Sequence, residues 1–218
     1  MGPGGRLPSG LELRLRRGAS DPNGTAVRLL RSQSNLLVQL AFSPRVDTGT
    51  KHLVELKARY EDLGKARALL SGAERLGSFL QVDTYFSLGE RRLKLRAVEG
   101  AKEGQLIYYE RPDTSAVKES RVLLASLPDA ATVREILGQV LPVKAEVRKT
   151  REVYRLEGVQ VHLDVVTGLG KFLEFEKILA DESDREEGRK QLEALRRYFQ
   201  IPEEDLMASS YSDLLESG

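Results

Sequence analysis

Between residues 92 and 96 the chain reads Arg-Leu-Lys-Leu-Arg, charge and hydrocarbon alternating with a period of two. Side chains at i and i+2 share one face of a strand. Arg92, Lys94 and Arg96 therefore line one face, and Leu93, Leu95 and Ala97 the other. The pattern recurs. Glu55, Lys57 and Arg59 oppose Val54, Leu56 and Ala58, and Lys149, Arg151 and Arg155 repeat the cationic row. The sign then reverses, with Asp164 beside His162 and Glu174 beside Glu176. A solvated sheet face usually mixes neutral polar residues with both charges. Rows of like charge cost energy unless a counter-charge sits between them.

Runs at 52–60, 79–88, 91–98, 104–111, 117–126, 146–156, 158–166 and 172–179 all read as strands. Turn residues at 89–90, 100 and 157–158 separate several of them. Helices are expected at 63–70 after Asp62, at 129–139, and after Asp184, where Leu192, Leu195, Tyr198 and Phe199 fall at helical spacing. Pro202 stops that helix, and a short one follows near 203–206. Amphipathic helices need an apolar surface to cover, and the strands supply one if their charged faces point inward. The expected fold is α+β: a closed antiparallel eight-stranded β-barrel with helices packed outside, its interior a charged tunnel.

The 218 residues suit one domain or a domain with an appendage, and 40% hydrophobic content suffices for a core. Zero Cys excludes disulfide scaffolds, thiolate zinc sites and cysteine nucleophiles. Apolar runs are too short for a membrane span, and the net charge of +1 gives no global argument for nucleic acid or membrane binding. Residues 1–45 carry seven Arg, no Lys and two acids among scattered Ser, Gly and Pro. Residues 1–50 accordingly read as a disordered or targeting leader, and 51–218 as the tunnel domain. Location is expected to be cytoplasmic, or mitochondrial if the leader is a transit segment.

The candidate inward set has ten cations: Lys57, Arg59, Arg92, Lys94, Arg96, Arg111, Arg121, Lys149, Arg151 and Arg155. Four carboxylates oppose them, Glu55, Asp164, Glu174 and Glu176, leaving +6. A triphosphate brings roughly −4, and Arg and Lys hold phosphate oxygens by charge-assisted bonds. Phosphate alone needs no carboxylates. Their presence points to a hard divalent cation, Mg²⁺ or Mn²⁺, bridging to the phosphates.

From about His52 to Leu215 the chain resembles the CYTH family, the triphosphate tunnel metalloenzymes. That family's signature opens Glu-x-Glu-x-Lys; here Leu53-Val54-Glu55-Leu56-Lys57 keeps the second Glu and the Lys. Further matches are Asp83-Thr84-Tyr85-Phe86, Arg92 to Arg96, Tyr109-Glu110-Arg111-Pro112-Asp113 and Lys149-Thr150-Arg151. The stretch His162-Leu163-Asp164 through Gly168-Leu169-Gly170 to Glu174-Phe175-Glu176 matches its acidic end, and the pattern is most like the class IV adenylyl cyclase branch.

The resemblance implies that Glu55, Asp164, Glu174 and Glu176 hold the metal. It makes Lys57, Arg92, Lys94, Arg96, Lys149 and Arg151 clamp the triphosphate, with Arg111 and Arg121 as additions. Lys57 and Glu55 are the expected catalytic residues. Two functions stay open: a metal-dependent enzyme that hydrolyses a triphosphate or cyclises ATP, and a binding module weakened by Leu53. The expected partner is a small triphosphate (nucleoside, thiamine or inorganic), with a possible homodimer. No P-loop or Gly-x-Ser-x-Gly elbow is present, and His162 reads as lining or structural.

Overall fold

The computed structural model describes residues 50–89, 91–110 and 116–216. The leader expected over 1–50 lies outside the described residues apart from Thr50, as does Arg111.

Eight strands close into one barrel: β1 (Thr50–Arg59), β2 (Glu74–Leu88), β3 (Arg91–Val98), β4 (Gly104–Glu110), β5 (Lys118–Leu127), β6 (Val143–Leu156), β7 (Val159–Val166) and β8 (Gly170–Ile178). Around the wall they run β1-β5-β4-β3-β2-β6-β7-β8, and β8 returns to β1. Every pairing is antiparallel. At the β6–β7 hairpin both turn residues are left-handed, Glu157 at φ 50° and Gly158 at φ 78°. That geometry matches the twist of the flanking strands.

Four helices accompany the barrel: α1 (Leu63–Leu69), α2 (Ala130–Val140), α3 (Arg185–Tyr198) and α4 (Tyr211–Glu216). Asp62 caps α1 by accepting from Lys65 N at 2.9 Å, and Asp129 caps α2 by accepting from Thr132 N at 3.0 Å. Such caps satisfy amide hydrogens that a helix start leaves unpaired.

Hydrocarbon covers the outside of the barrel wall, and the charged rows of its strands face inward. Val54, Leu56 and Ala58 of β1, with Leu173 and Phe175 of β8, meet α1 through Leu63 and Ala66. The same layer receives Leu192 and Leu195 of α3, and Phe199 just beyond it. Leu93, Leu95 and Ala97 of β3 pack under Ala130, Val133 and Leu137 of α2. There the approach is so close that a Cβ on Gly104 would stand 2.5 Å from Ala130 Cβ and 2.6 Å from the Arg96 carbonyl oxygen. Among the described residues no helix is long and apolar enough to cross a membrane.

Two strands exceed their sequence expectation. β2 starts at Glu74 rather than 79, and β6 at Val143 rather than 146. The extra turn of β2 contains a register shift between Arg75 and Gly77, which breaks the alternation that would have marked it.

Candidate active site in the barrel

The C-terminal segment crosses one end of the barrel. Leu206 bridges Ala58, and Met207 N donates to the Lys57 carbonyl at 2.9 Å. Lys118 is 1% exposed and donates through Nζ to the carbonyls of Met207 (2.5 Å) and Ala208 (2.8 Å). Ser210 and Asp213 then form a reciprocal cap at the start of α4, with Ser210 N donating to Asp213 Oδ2 at 3.0 Å. Asp213 also holds Arg92 at 3.2 Å and Lys144 at 2.8 Å. Tyr211 enters the barrel, its ring 4.9 Å from that of Phe172 and its hydroxyl donating to Asp164 Oδ2 at 2.8 Å. No described element crosses the opposite end.

The cavity between, about 270 Å³, has two halves. Toward the open end its wall includes Leu53, Phe79, Val98, Val122, Val153 and Ile178, with Lys51, Gln105 and Gln160 among them. Toward the closed end it is lined by Lys57, Lys94, Arg96, Lys149, Arg151 and Glu174.

Three charged clusters organise the closed half. Asp83, fully buried, accepts from Arg96 Nε (2.7 Å) and Nη2 (2.9 Å), from Lys94 (3.2 Å) and from Lys149 (3.1 Å). Burial alone would raise the Asp83 carboxyl, but Arg96, Lys149 and Lys94 together hold it well below the usual carboxylate range. Burial likewise pushes the Lys149 ammonium down to about 7, against the pull of Asp83.

Arg151 centres the second cluster, gripping Asp164 through Nε (2.7 Å) and Nη2 (2.6 Å) and reaching Glu174 at 2.5 Å. Here too burial raises both carboxyls and the cations overcome it: Arg151 lowers Asp164, while Lys57 and Arg151 lower Glu174. Lys57 Nζ stands 3.5 Å from Glu174 Oε1 and 4.1 Å from the centre of the Tyr211 ring.

The third cluster is His162, Glu174 and Glu176, whose nearest donor atoms all lie within 4.8 Å of one another. Glu55 faces the cavity in register with Glu176 on β8 and Lys118 on β5.

The structure thus brings Glu55, Lys57, Lys94, Arg96, Lys149, Arg151, Asp164, Glu174 and Glu176 to one interior, with Arg92 at its closed end. Arg59 is at that rim, donating to the Leu169 carbonyl at 3.3 Å. Arg155 is at the open rim, paired with Glu74 at 3.1 Å. Arg121 points the other way: it lies on the outer face, 48% exposed, 3.5 Å from Glu110. The register explains this, since Ser120 and Val122 face the cavity and Arg121 falls between them.

Asp83, Lys118 and Tyr211 join the interior without having been in the inward set. For Asp83 a signal existed, because Gln81, Asp83 and Tyr85 alternate as a strand face. With Asp83 counted and the rim and outer cations set apart, interior charge is close to balanced rather than strongly positive.

The CYTH domain profile matches residues 51–211. The chain belongs to the CYTH family. A relative from Methanocaldococcus jannaschii, named "Putative adenylate cyclase", is 24% identical over 172 residues, covering 74% of this chain and 97% of its own. A solved structure from Pyrococcus horikoshii is 26% identical with a TM-score of 0.67, covering 74% of this CYTH chain and 98% of that one. A Hippeastrum adenylyl cyclase homologue, described as having a dominant triphosphatase activity, shares the fold at 18% identity and TM-score 0.54, over 76% and 96% of the two chains. The barrel of this CYTH protein is the fold expected of a triphosphate tunnel.

Proposed function

We propose that this CYTH protein is a metal-dependent hydrolase of an organic triphosphate. The gradient along the cavity carries the reading: buried cations converge at the closed end, and the wall toward the mouth mixes hydrocarbon with neutral polar groups such as Gln105 and Gln160. Phosphates suit the first half, and the group they are attached to suits the second. A bare polyphosphate would leave the hydrocarbon of the outer half without use. The activity described for the Hippeastrum neighbour supports hydrolysis over cyclisation.

In this reading Lys57, Lys94, Arg96, Lys149 and Arg151 hold the phosphate chain. Two of the donor directions of Arg96 are committed to Asp83, and a guanidinium has five N–H donors. Asp83 therefore aims Arg96 without exhausting it. Asp164 does the same for Arg151. Glu174 and Glu176, with Glu55 beside them, are the carboxylates proposed to hold a divalent cation. When bound, such an ion polarises a phosphoryl oxygen and neutralises charge that develops there. Glu55 orients a water and takes its proton as the oxygen attacks the terminal phosphorus in line and the bridging P–O bond breaks. Lys57 stabilises the charge on the transferred group. Positioning and neutralisation supply most of the acceleration for this chemistry.

Leu53 favours a second reading, a binding module without turnover, because it puts hydrocarbon on the tunnel wall two residues before Glu55. One assay separates them: ATP, thiamine triphosphate and tripolyphosphate are each incubated with Mg²⁺ or Mn²⁺, and products are identified. Orthophosphate release from an organic triphosphate is expected. Tight binding with no product would favour the module, and no binding would defeat both. Leu53→Glu is expected to raise the metal-dependent rate. An unchanged rate in a folded variant would count against Leu53 as the weak point.

Lys149 gives a pH prediction. Above pH 7 Lys149 loses its proton before the substrate arrives, and the incoming triphosphate draws that proton back. Binding at pH 8 should take up close to one proton, and at pH 5.5 almost none. Calorimetry in buffers of different ionisation enthalpy measures this directly. Equal uptake at both pH values would exclude Lys149 as the group responsible.

A further inference from the structure

His162 is 3% exposed, and its Nδ1 has no hydrogen-bond partner. A buried polar atom in that state is unusual and costly. Its surroundings make the cost greater. On the far side of the ring, Nε2 is 3.2 Å from Gln160 Oε1, an acceptor, which favours the tautomer with the proton on Nε2. Nδ1 then presents a lone pair toward Glu174 Oε2 at 3.9 Å and Glu176 Oε1 at 4.0 Å. Three electron-rich atoms lie within 4.8 Å of one another, with Nδ1 too far from either carboxylate for a hydrogen bond. Donors bound to a single small ion at about 2.1 Å lie up to about 4.2 Å apart, which spans both of these distances.

Asp164, on the same face of β7 as His162, is more fully engaged. Both its oxygens accept from Arg151 and one also from the Tyr211 hydroxyl, whereas Glu174 meets Arg151 through Oε2 alone.

We infer that His162 Nδ1, Glu174 and Glu176 form a mixed nitrogen–oxygen metal site that takes Mn²⁺, or another first-row transition dication, in preference to Mg²⁺. This rests on the reading of the barrel as a metal-dependent triphosphate site and deepens it by naming the ligand that selects the ion. Mg²⁺ favours oxygen donors in near-ideal octahedral geometry, whereas imidazole nitrogen suits transition metals. Gln160 acts behind the ligand, fixing the ring by accepting from Nε2. Leu53 stands where the family signature has a carboxylate on β1, and the imidazole supplies a donor from β7 instead.

The test is Mn²⁺ binding to the full chain, followed by electron paramagnetic resonance, with Mg²⁺ as competitor. One Mn²⁺ per chain is expected, bound at least tenfold tighter than Mg²⁺. Pulsed measurements should detect a directly bound ¹⁴N that becomes ¹⁵N when histidine alone is labelled. The only other histidine, His52, is exposed on the outside of the barrel. His162→Gln should lower Mn²⁺ affinity at least tenfold and abolish the nitrogen coupling. The native-protein coupling needs no variant, so a misfolded His162→Gln does not spare the idea. Mn²⁺ bound without nitrogen coupling, or no Mn²⁺ bound at all, overturns it.

Triphosphate turnover on the same samples keeps the two readings apart. Turnover with a nitrogen-free Mn²⁺ sinks the histidine ligand and leaves the proposed function standing. Nitrogen-coupled Mn²⁺ with no triphosphate bound or cleaved does the reverse.

Discussion

Arg151→Met is expected to cost the folded protein about 3–5 kcal/mol at pH 7, the usual penalty for removing one partner of a buried ion pair. The guanidinium answers two buried carboxylates at once, Asp164 and Glu174. Methionine fills much of its volume but leaves Asp164 without its cross-strand cation, held by the Tyr211 hydroxyl, while Glu174 keeps Lys57. The pH dependence should change sign with it. In the native protein both carboxyls titrate below their ordinary values, so their contribution is complete above the unfolded pKa of about 4 and is lost as pH falls through the folded values. In the variant burial and the neighbouring Glu174 raise Asp164, so the unfolded state releases that proton first. Lowering the pH from 7 to 5 should then recover part of the deficit. Urea unfolding at both pH values checks this. A loss under 1 kcal/mol, unchanged at pH 5, would mean that Arg151 does not hold the two acids as described.

Asp83→Asn is the converse case. It withdraws the negative charge shared by Arg96, Lys94 and Lys149 and leaves Arg96 and Lys94 crowded beside a Lys149 whose proton Asp83 had helped to hold. Stability should again fall by about 3–5 kcal/mol. An anion can then do what the carboxylate did. Tripolyphosphate should raise the melting temperature of the variant more than that of the native chain, because binding to the folded state alone stabilises in proportion to affinity. Parallel thermal melts with and without tripolyphosphate read out both effects. If the variant loses stability but gains nothing extra from the anion, Asp83 is a structural counter-ion and its three partners do not face the phosphate path.

Alternation made most of this architecture readable from sequence. With Leu93 and Leu95 bound to pack under a helix, Lys94 and Arg96 had to point inward, and β3 does this. Period two also put Lys57, Lys149, Arg151 and Glu174 on the interior face. It could not tell which charges face one another, because register across β2–β3 and β6–β7 depends on turns far from the charged residues. Asp83 against Arg96 and Asp164 against Arg151 are both direct cross-strand neighbours. Reading the strands singly left Asp83 uncounted and the interior too positive. Arg121 shows the opposite failure: a cation in a strand says nothing of its face when the neighbouring pattern, Lys118 to Val122, does not alternate cleanly. Tyr211 had no local signal at all. It reaches Asp164 only because the segment after α3 folds back across the barrel end.

The proposal that an anionic chain occupies the closed half of the barrel is tested most directly by a structure of the protein with tripolyphosphate and Mn²⁺. Phosphate oxygens should lie within hydrogen-bonding distance of Lys57, Lys94, Arg96, Lys149 and Arg151, with the ion between the phosphates and Glu174 and Glu176. Phosphate bound only at outer-face cations such as Arg121, with water alone in the interior, would contradict it.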